Sequence, residues 1–532
     1  MSDVSSLRKF IFFVAFFCFV FIFLKTGFTY KLSKEIIAGN ASIKQYEYTQ
    51  LENFTGKSRL KVNELLTLVA QKNMDIFKEK LVKEISKENI RKAESIFEPV
   101  GKYSLDYEDS KTPNTAEEYF DRNQRDIYTE QNLNYSLSLE QLLPTGGQLE
   151  VSYNLDHDKN DLIDTRYNGD ESFEDVTLLN TSITQPLLKN AGTKVTKANI
   201  NIAKSNKEIS DQEFRKKQLQ IFARALSSYW DLYAAQKKYL VHRHSLVLTR
   251  KLFQDTQELI KAGKLPSTET YDVRSGLVMR KTMLEKAKQN LVKASNSLRT
   301  LFSSSAQKNP RIILTDAELK IDKHNMSYPQ ALQKALNNRP EYLQAKKKAE
   351  RENIRLVYAK NQRYPQLDLK ASFGFNGLDF SPEKSFTSAV EDDYNTWSVG
   401  LQFSYPLFGD KKSNSELRIV RKKKKRALLE IKSLQVVITN SISSSLNDVQ
   451  SSLKQVQGHD QNVNYKQKLM EIEYERLRAG KSYVRRLLER EMDLNRALND
   501  RLQAKVDYRK AVVRLKKAKG TLLKDYGLEK EE

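Results

Sequence analysis

Two stretches of 70 residues, 193–262 and 410–479, contain no proline and a single glycine, Gly458. Gly192 and Gly263 bracket the first, Gly409 and Gly480 the second, so the two spacings are equal at 71. Both are rich in Lys, Glu, Gln, Leu, Ala and Arg, which lose little rotamer freedom in a helix. Apolar and small residues recur at three and four positions, as in Ile221, Ala225, Ser228, Leu232 and Ala235. A helix of about 70 residues is about 105 Å long at about 1.5 Å per residue. No globular core accommodates that length, so such helices must lie side by side in a bundle, coiled coil or tube.

Four further segments, residues 60–97, 267–301, 329–364 and 482–523, read as helical pieces of 35 to 42 residues. Two of these placed end to end match one long helix, so each long helix is expected to pair with two short ones joined near its middle. The non-helical stretch 303–328 fits such a crossing. An internal repeat runs through the pattern. Ala262-Gly263-Lys264 returns as Ala479-Gly480-Lys481 at an offset of 217, whereas Asp75 and Pro99 match Glu341 and Pro365 at an offset of 266. The first copy therefore carries 49 extra residues between its proline and its tip glycine. Only the region 100–192 has room for them.

After Pro99 and Pro365 the period changes from 3.6 to 2. Trp397, Val399, Leu401, Phe403 and Tyr405 alternate with Ser398, Gly400, Gln402 and Ser404. Leu133, Tyr135, Leu137 and Leu139 do the same, as do Leu149, Val151, Tyr153 and Leu155. Leu367 to Phe375 and Leu179 to Ile183 give further stripes, and Tyr103, Leu105 and Tyr107 begin the series. A soluble sheet with one wet face would also alternate. Membrane strands are favoured by segments of about 9–11 residues, by aromatic residues near their ends, and by an opposite face of Ser, Asn, Gln and Gly. Four such strands fall in the first copy and two in the second, with a turn at Leu143-Pro144-Thr145-Gly146-Gly147. Six strands cannot enclose a water-filled lumen. Three copies would supply 18, or 12 if the extra hairpin stays outside the wall.

Arg8 and Lys9 precede fifteen uncharged residues, 10–24, a length that fits the core of a secretory leader better than a bilayer span. A short N-terminal membrane anchor is the alternative. Ala38 and Ala41 offer only weak cleavage signals, and Cys18, the single cysteine, lacks lipoprotein context. Mean hydropathy of −0.63 excludes a polytopic helical membrane protein but not a β-barrel. The net charge of +23 suggests an anionic surface. It is uneven: acidic residues crowd 156–175, while residues 421–426 form an Arg-Lys run about 18 Å along the second long helix. That run could meet lipid phosphate or cell-wall polymer, or be a solvated face. No aromatic-interleaved basic module points to nucleic acid.

The motifs Asn338-Arg339-Pro340-Glu341, Tyr364-Pro365-Gln366-Leu367, Thr184-Gln185-Pro186-Leu187-Leu188 and Tyr405-Pro406-Leu407-Phe408-Gly409 occur in order with the two Ala-Gly tips. Together they resemble the TolC family of outer-membrane efflux channels, over nearly the whole chain and in two copies. The resemblance implies an α+β membrane protein: a trimeric outer-membrane β-barrel continued by a long periplasmic α-helical barrel. The division is then a leader or anchor at 1–30, a linker at 31–60, a first repeat at 61–310 and a second at 311–532. It also implies docking of the tips (Gly263, Lys264, Leu265, Pro266, Gly480, Lys481 and Ser482) onto a periplasmic adaptor linked to an inner-membrane pump or ABC exporter.

Family members often carry an aspartate six residues after the tip glycine. Glu269 stands at the first such place and Arg486, preceded by Arg485, at the second, with Glu489 one turn on. These four are the pore-entrance candidates; either Glu269 pairs with Arg485 or Arg486 across neighbouring tip helices, or all three are solvated surface charges. Leu477 and Ser482 stand where the best-known family member has a tyrosine and an arginine that latch its closed form, so that latch has no match here.

No metal site or cofactor is expected. His242 and His244 diverge on a helix, and His157, His324 and His459 have no Cys or carboxylate partner at ligand spacing. No phosphate loop, nucleophile elbow or paired catalytic acid occurs, so an enzyme is not expected. The rival readings are an N-terminally anchored periplasmic coiled-coil protein and an adaptor with a helical hairpin.

Overall fold

The computed structural model describes residues 59–528, apart from 123, 162, 164–172, 304–311, 317–318, 320, 322–326 and 392–393. The expected leader with Cys18, nearly all of the linker, the acids Asp164, Asp170 and Glu171, and His324 lie outside the described residues.

Two long helices dominate, α5 (Ala198–Lys261) with 64 residues and α10 (Lys411–Arg478) with 68. At about 1.5 Å per residue they span about 96 and 102 Å. α6 (Glu269–Arg299) returns along the second half of α5, and α11 (Val484–Ala518) along the second half of α10. The other halves are flanked by α2 (Met74–Glu94) and α8 (Pro340–Asn361), α2 packing on α5 and α8 lying between α5 and α10.

The pieces expected as single helices at 60–97 and 329–364 are each two helices. α1 (Val62–Lys72) ends at Asn73 and α7 (Tyr328–Asn338) at Arg339. Both residues are extended, at φ −73°, ψ 118° and φ −75°, ψ 117°, and they lie at the same 266-residue offset as the sequence repeat. The causes differ. Asn73 accepts from the Asp75 and Ile76 amides, each at 3.0 Å, and so caps α2; its amide donates to the Leu301 carbonyl at 2.7 Å. Arg339 precedes Pro340, whose ring disfavours the helical region for the residue before it.

The largest core sits at this break. Leu65, Leu66 and Val69 of α1 meet Phe222, Leu226, Tyr229 and Leu232 near the middle of α5, Leu298 of α6 and Val506 and Val513 of α11. α12 (Leu522–Asp525) closes it with Leu522 and Leu523. Two short parallel strands, β1 (Arg59–Leu60) and β6 (Leu314–Thr315), border it, with Leu60 buried in the core itself. Tyr229 is fully buried, donates to the Leu60 carbonyl at 2.9 Å, and has its pKa pushed up to about 12, chiefly by burial. A smaller core of Ala331, Ala335, Tyr342, Ile438 and Ile442 occupies the same place in the second repeat.

The remaining strands form one antiparallel sheet ordered β2 (Val100–Pro113), β3 (Ile127–Leu142), β4 (Gln148–Asn160), β5 (Glu174–Pro186), β7 (Gln366–Asp379) and β8 (Asn395–Ser404). All six alternating segments lie in these strands, except that Tyr405 falls one residue beyond β8. Most are longer than the 9–11 residues expected, 13 to 16 in all but β8, because they continue past the apolar band. The additional hairpin of the first copy is part of the same sheet. Short helices α3 (Ala116–Asp121) and α9 (Pro382–Glu391) lie in the β2–β3 and β7–β8 connections, and α4 (Thr193–Thr196) precedes α5.

Tyr229→Phe removes one of two donors to the Leu60 carbonyl, leaving the Asp316 amide at 3.1 Å, and should cost about 0.5–1.5 kcal/mol. A lower thermal midpoint in detergent, with unchanged helical circular dichroism at low temperature, is the expected result.

Candidate functional site

Register divides the sheet into two faces. Tyr103, Leu137, Tyr153, Leu179 and Phe375 stand opposite one another across five strands, and Phe373 faces Trp397 on the same side. On the other side run Ser138, Ser152, Asn180, Gly374 and Thr396. Most of these apolar residues are exposed, from 40% at Phe375 to 69% at Trp397, while Tyr153 and Leu179 are half-buried. Such a wall is stable only with hydrocarbon against one face and water against the other. Among the described residues, no helix is long and apolar enough to cross a membrane.

Register also supplies a partner that sequence spacing did not reveal. His157 has no carboxylate partner at ligand spacing along the chain, but its Nδ1 lies 2.6 Å from Oδ1 of the fully buried Asp175, its cross-strand neighbour, and its ring stacks on Phe173 at 4.1 Å. Among the described residues, no three His, Cys, Asp or Glu side chains gather as a metal site.

At the opposite end of the molecule the two tips are built alike. The Gly263 amide donates to Ile260 and the Lys264 amide to Leu259; the Gly480 amide donates to Leu477 and the Lys481 amide to Arg476. This is the Schellman pattern, and it needs a left-handed residue: both glycines have φ +71°. Leu265, Val273, Leu477, Val484 and Leu487 pack the tips together. Leu265 and Ser482, candidates for docking, are therefore turned inwards, Ser482 bonding to Glu473. Gly263, Lys264, Pro266, Gly480 and Lys481 are exposed. Tyr271 and Tyr483, which sequence reasoning did not single out, are 74% and 67% exposed beside them.

The expected ion pair of Glu269 with Arg485 or Arg486 is not formed within the chain. Glu269 is buried and accepts from the Val484 amide at 2.9 Å. Tyr483, at the N-cap of α11, offers no side-chain cap, so a carboxylate from the first hairpin supplies one. Arg485 pairs instead with Glu489 on its own helix at 3.4 Å, in an exposed contact of small energetic weight. Arg486 is exposed.

The strongest link between the two hairpins is one that sequence reasoning missed. About 16 Å along α11 from its tip glycine, Glu491 is buried and bonded to Arg280 of α6, Ser245 of α5 and Asn495 of α11. Arg280, equally buried, also donates to the Leu488 carbonyl at 3.2 Å. Three helices are thus strapped by one hydrogen-bonded charge pair. A cavity of about 260 Å³ lined by Leu248, Leu252, Met470 and Leu487 lies against it. Tyr474 of α10 donates to Asp255 of α5 at 2.9 Å on the tip side. His242, half-buried near Glu491, is held below its ordinary pKa chiefly by burial, with Lys238 adding to the effect and Glu491 opposing it.

The outer membrane efflux protein family matches residues 148–303 and 331–521. No curated protein matches the chain. Among solved structures, the Campylobacter jejuni CmeC outer membrane channel superposes with a TM-score of 0.61 at 15% identity, over 87% of this chain and 86% of that one. The outer membrane protein VceC of Vibrio cholerae gives 0.58 at 14% identity, over 86% and 96%. The open state of the Neisseria gonorrhoeae MtrE outer membrane channel gives 0.58 at 13%, over 87% and 89%. At these identities the likeness is one of fold.

Glu491→Leu alone should destabilise by about 3–5 kcal/mol, because Arg280 is left as a buried unpaired charge; Arg280→Met/Glu491→Leu should recover most of that loss. Thermal unfolding of both variants checks this. For His242 the folded chain binds the proton more weakly than the unfolded chain. Its contribution to stability is therefore intact above about pH 6.5 and is lost as pH falls towards the lower folded value. The thermal midpoint should fall more between pH 7.5 and pH 5.5 in the wild type than in His242→Gln, tested in parallel scans.

Proposed function

The chain belongs to the outer membrane efflux protein family, and from that premise we propose that it is the outer-membrane channel of a tripartite efflux or type I secretion system. It lies in the outer membrane with its helical part in the periplasm. In this reading three copies form the conduit, which passes small molecules or proteins from an inner-membrane pump or ABC exporter to the exterior. The family is one of channels rather than enzymes, and transport through the conduit is passive.

The carrying observation is the pair of sheet edges. β2 and β8 are the outermost strands of a sheet with an apolar and a polar face. In hydrocarbon an unpaired strand edge costs several kcal/mol per group, so the edges must meet. β2 and β8 run in opposite directions, so β8 of one copy can pair antiparallel with β2 of the next. With all six strands in one sheet, three copies give an 18-stranded wall, a size that leaves an aqueous lumen. A second support is the exposed stripe Phe77, Leu81 and Ile85 on α2, with Leu429, Val436 and Val437 exposed on α10. Such stripes are seams for a neighbouring helix.

At the periplasmic end, exposed Lys264, Pro266, Gly480 and Lys481, with Tyr271 and Tyr483, form the surface that an adaptor engages. Arg485, Arg486 and Glu489 line the entrance as exposed charges. The strap Arg280–Glu491 holds the two hairpins of each copy in the closed arrangement. Planar-bilayer recording of the full chain tests the reading. Wild type should give small ion-conducting steps, and the stable double variant Arg280→Met/Glu491→Leu should give larger ones. Absence of conductance from every variant, with the trimer intact, would refute it.

A further inference from the structure

The connection between β7 and β8 folds back onto the apolar face of the sheet. Ser385 and Ala389, one turn apart on α9, are fully buried against β5 and β7. Ser385 Oγ lies 2.9 Å from Thr177 Oγ1 and 3.2 Å from the Gly377 carbonyl oxygen. Thr177 and Gly377 face each other in register, on the side that carries Leu179, Phe373 and Phe375. The seat is close: a Cβ on Gly377 would stand 2.0 Å from the Ser385 carbonyl oxygen and 2.6 Å from the Ala389 amide. Phe386 meets Tyr153 edge-on, ring centroids 6.0 Å apart.

The helix also presents apolar surface that the chain does not cover. Phe386 is 45% exposed and Val390, one turn on, 60%; Tyr394 just beyond the helix is 63% exposed. These continue the exposed band of Phe373, Phe375, Trp397 and Val399 without a break in chemistry. Gly377 is eleven residues along β7 from Gln366. At about 3.3 Å per residue and a tilt of about 45°, that is about 25 Å, the height of the apolar band of a barrel. α9 therefore sits where hydrocarbon gives way to head groups. Exposed Glu383 and Lys384 begin it, on the polar side of an amphipathic turn.

We propose that α9 is an interfacial anchor on the outside of the wall, with Phe386 and Val390 buried in the outer-leaflet boundary between acyl chains and head groups. The occupant of this surface is lipid, by continuity with the membrane-facing band, and the proposal rests on the outward reading of that band. Aromatic and aliphatic side chains at this depth fix the vertical position of a barrel.

The test uses the full chain, reconstituted as a trimer in phosphatidylcholine vesicles, with an environment-sensitive fluorophore on Val390→Cys, Val399→Cys or Lys264→Cys in a Cys18→Ser background. The expected result is several-fold stronger quenching at position 390 by lipid brominated near the head group than by aqueous iodide. Position 399 should respond most to lipid brominated deep in the acyl chain, and position 264 to iodide. Iodide quenching at 390 with lipid quenching retained at 399 would overturn the anchor alone. Loss of lipid quenching at both 390 and 399 would overturn the membrane wall on which it rests.

Discussion

Backbone hydrogen bonds have nowhere to go in hydrocarbon except to other backbone, and this requirement organises the molecule. A six-stranded sheet with a greasy face and a wet face cannot exist alone in a bilayer, since β2 and β8 each leave a row of amides and carbonyls unpaired. Closure by identical copies satisfies both edges at once. The same closure fixes the helices, because α2, α5, α8 and α10 are joined to strand ends and must continue the wall as a tube. The nearly equal spans of α5 and α10 follow, since helices that start from one rim must reach a common lower edge.

The helical body is held by two kinds of interaction with different consequences. At the break between half-length helices, packing around Tyr229, Phe222 and Leu226 is apolar and continuous, and gives that level rigidity. Towards the tips the apolar core is smaller and polar links join it: Glu269 on the Val484 amide, Tyr474 on Asp255, and Arg280 with Ser245 and Asn495 on Glu491. A buried charge pair adds little net stability but has a sharp geometric optimum, and losing one partner is costly. Such links fix how the two hairpins sit against each other at the tips, whereas the apolar core fixes the level of the helix breaks.

Much of this architecture could be read from residues in order along the chain. Equal glycine spacing, the absence of proline and period-two stripes are local signals, and they located the long helices, the tips and all six strands. The helix breaks at Asn73 and Arg339 also had local signals, a capping residue and a following proline, but lay inside continuous helical patterns. The contacts that join distant segments could not be read in this way. Arg280 and Glu491 are 211 positions apart, and Glu269 and Val484 are 215 apart. Each looks like an ordinary surface-helix residue until the hairpins are packed. His157 and Asp175 needed the β4–β5 register, and the decapeptide of α9 needed the small surface at Gly377 and Thr177 to show which face it covers.

The claim on which everything else depends is that β8 of one copy pairs with β2 of the next. Cysteine scanning of this seam in membranes tests it most directly, with one cysteine placed at Ser104 in β2 and a second moved along β8 from Thr396 to Phe403 in a Cys18→Ser background. Oxidation should produce, at one register and its immediate neighbours, a covalent ladder ending near three times the chain mass of 61.6 kDa. A monomer band at every position, from protein that is nonetheless folded and membrane-bound, would contradict closure by three copies.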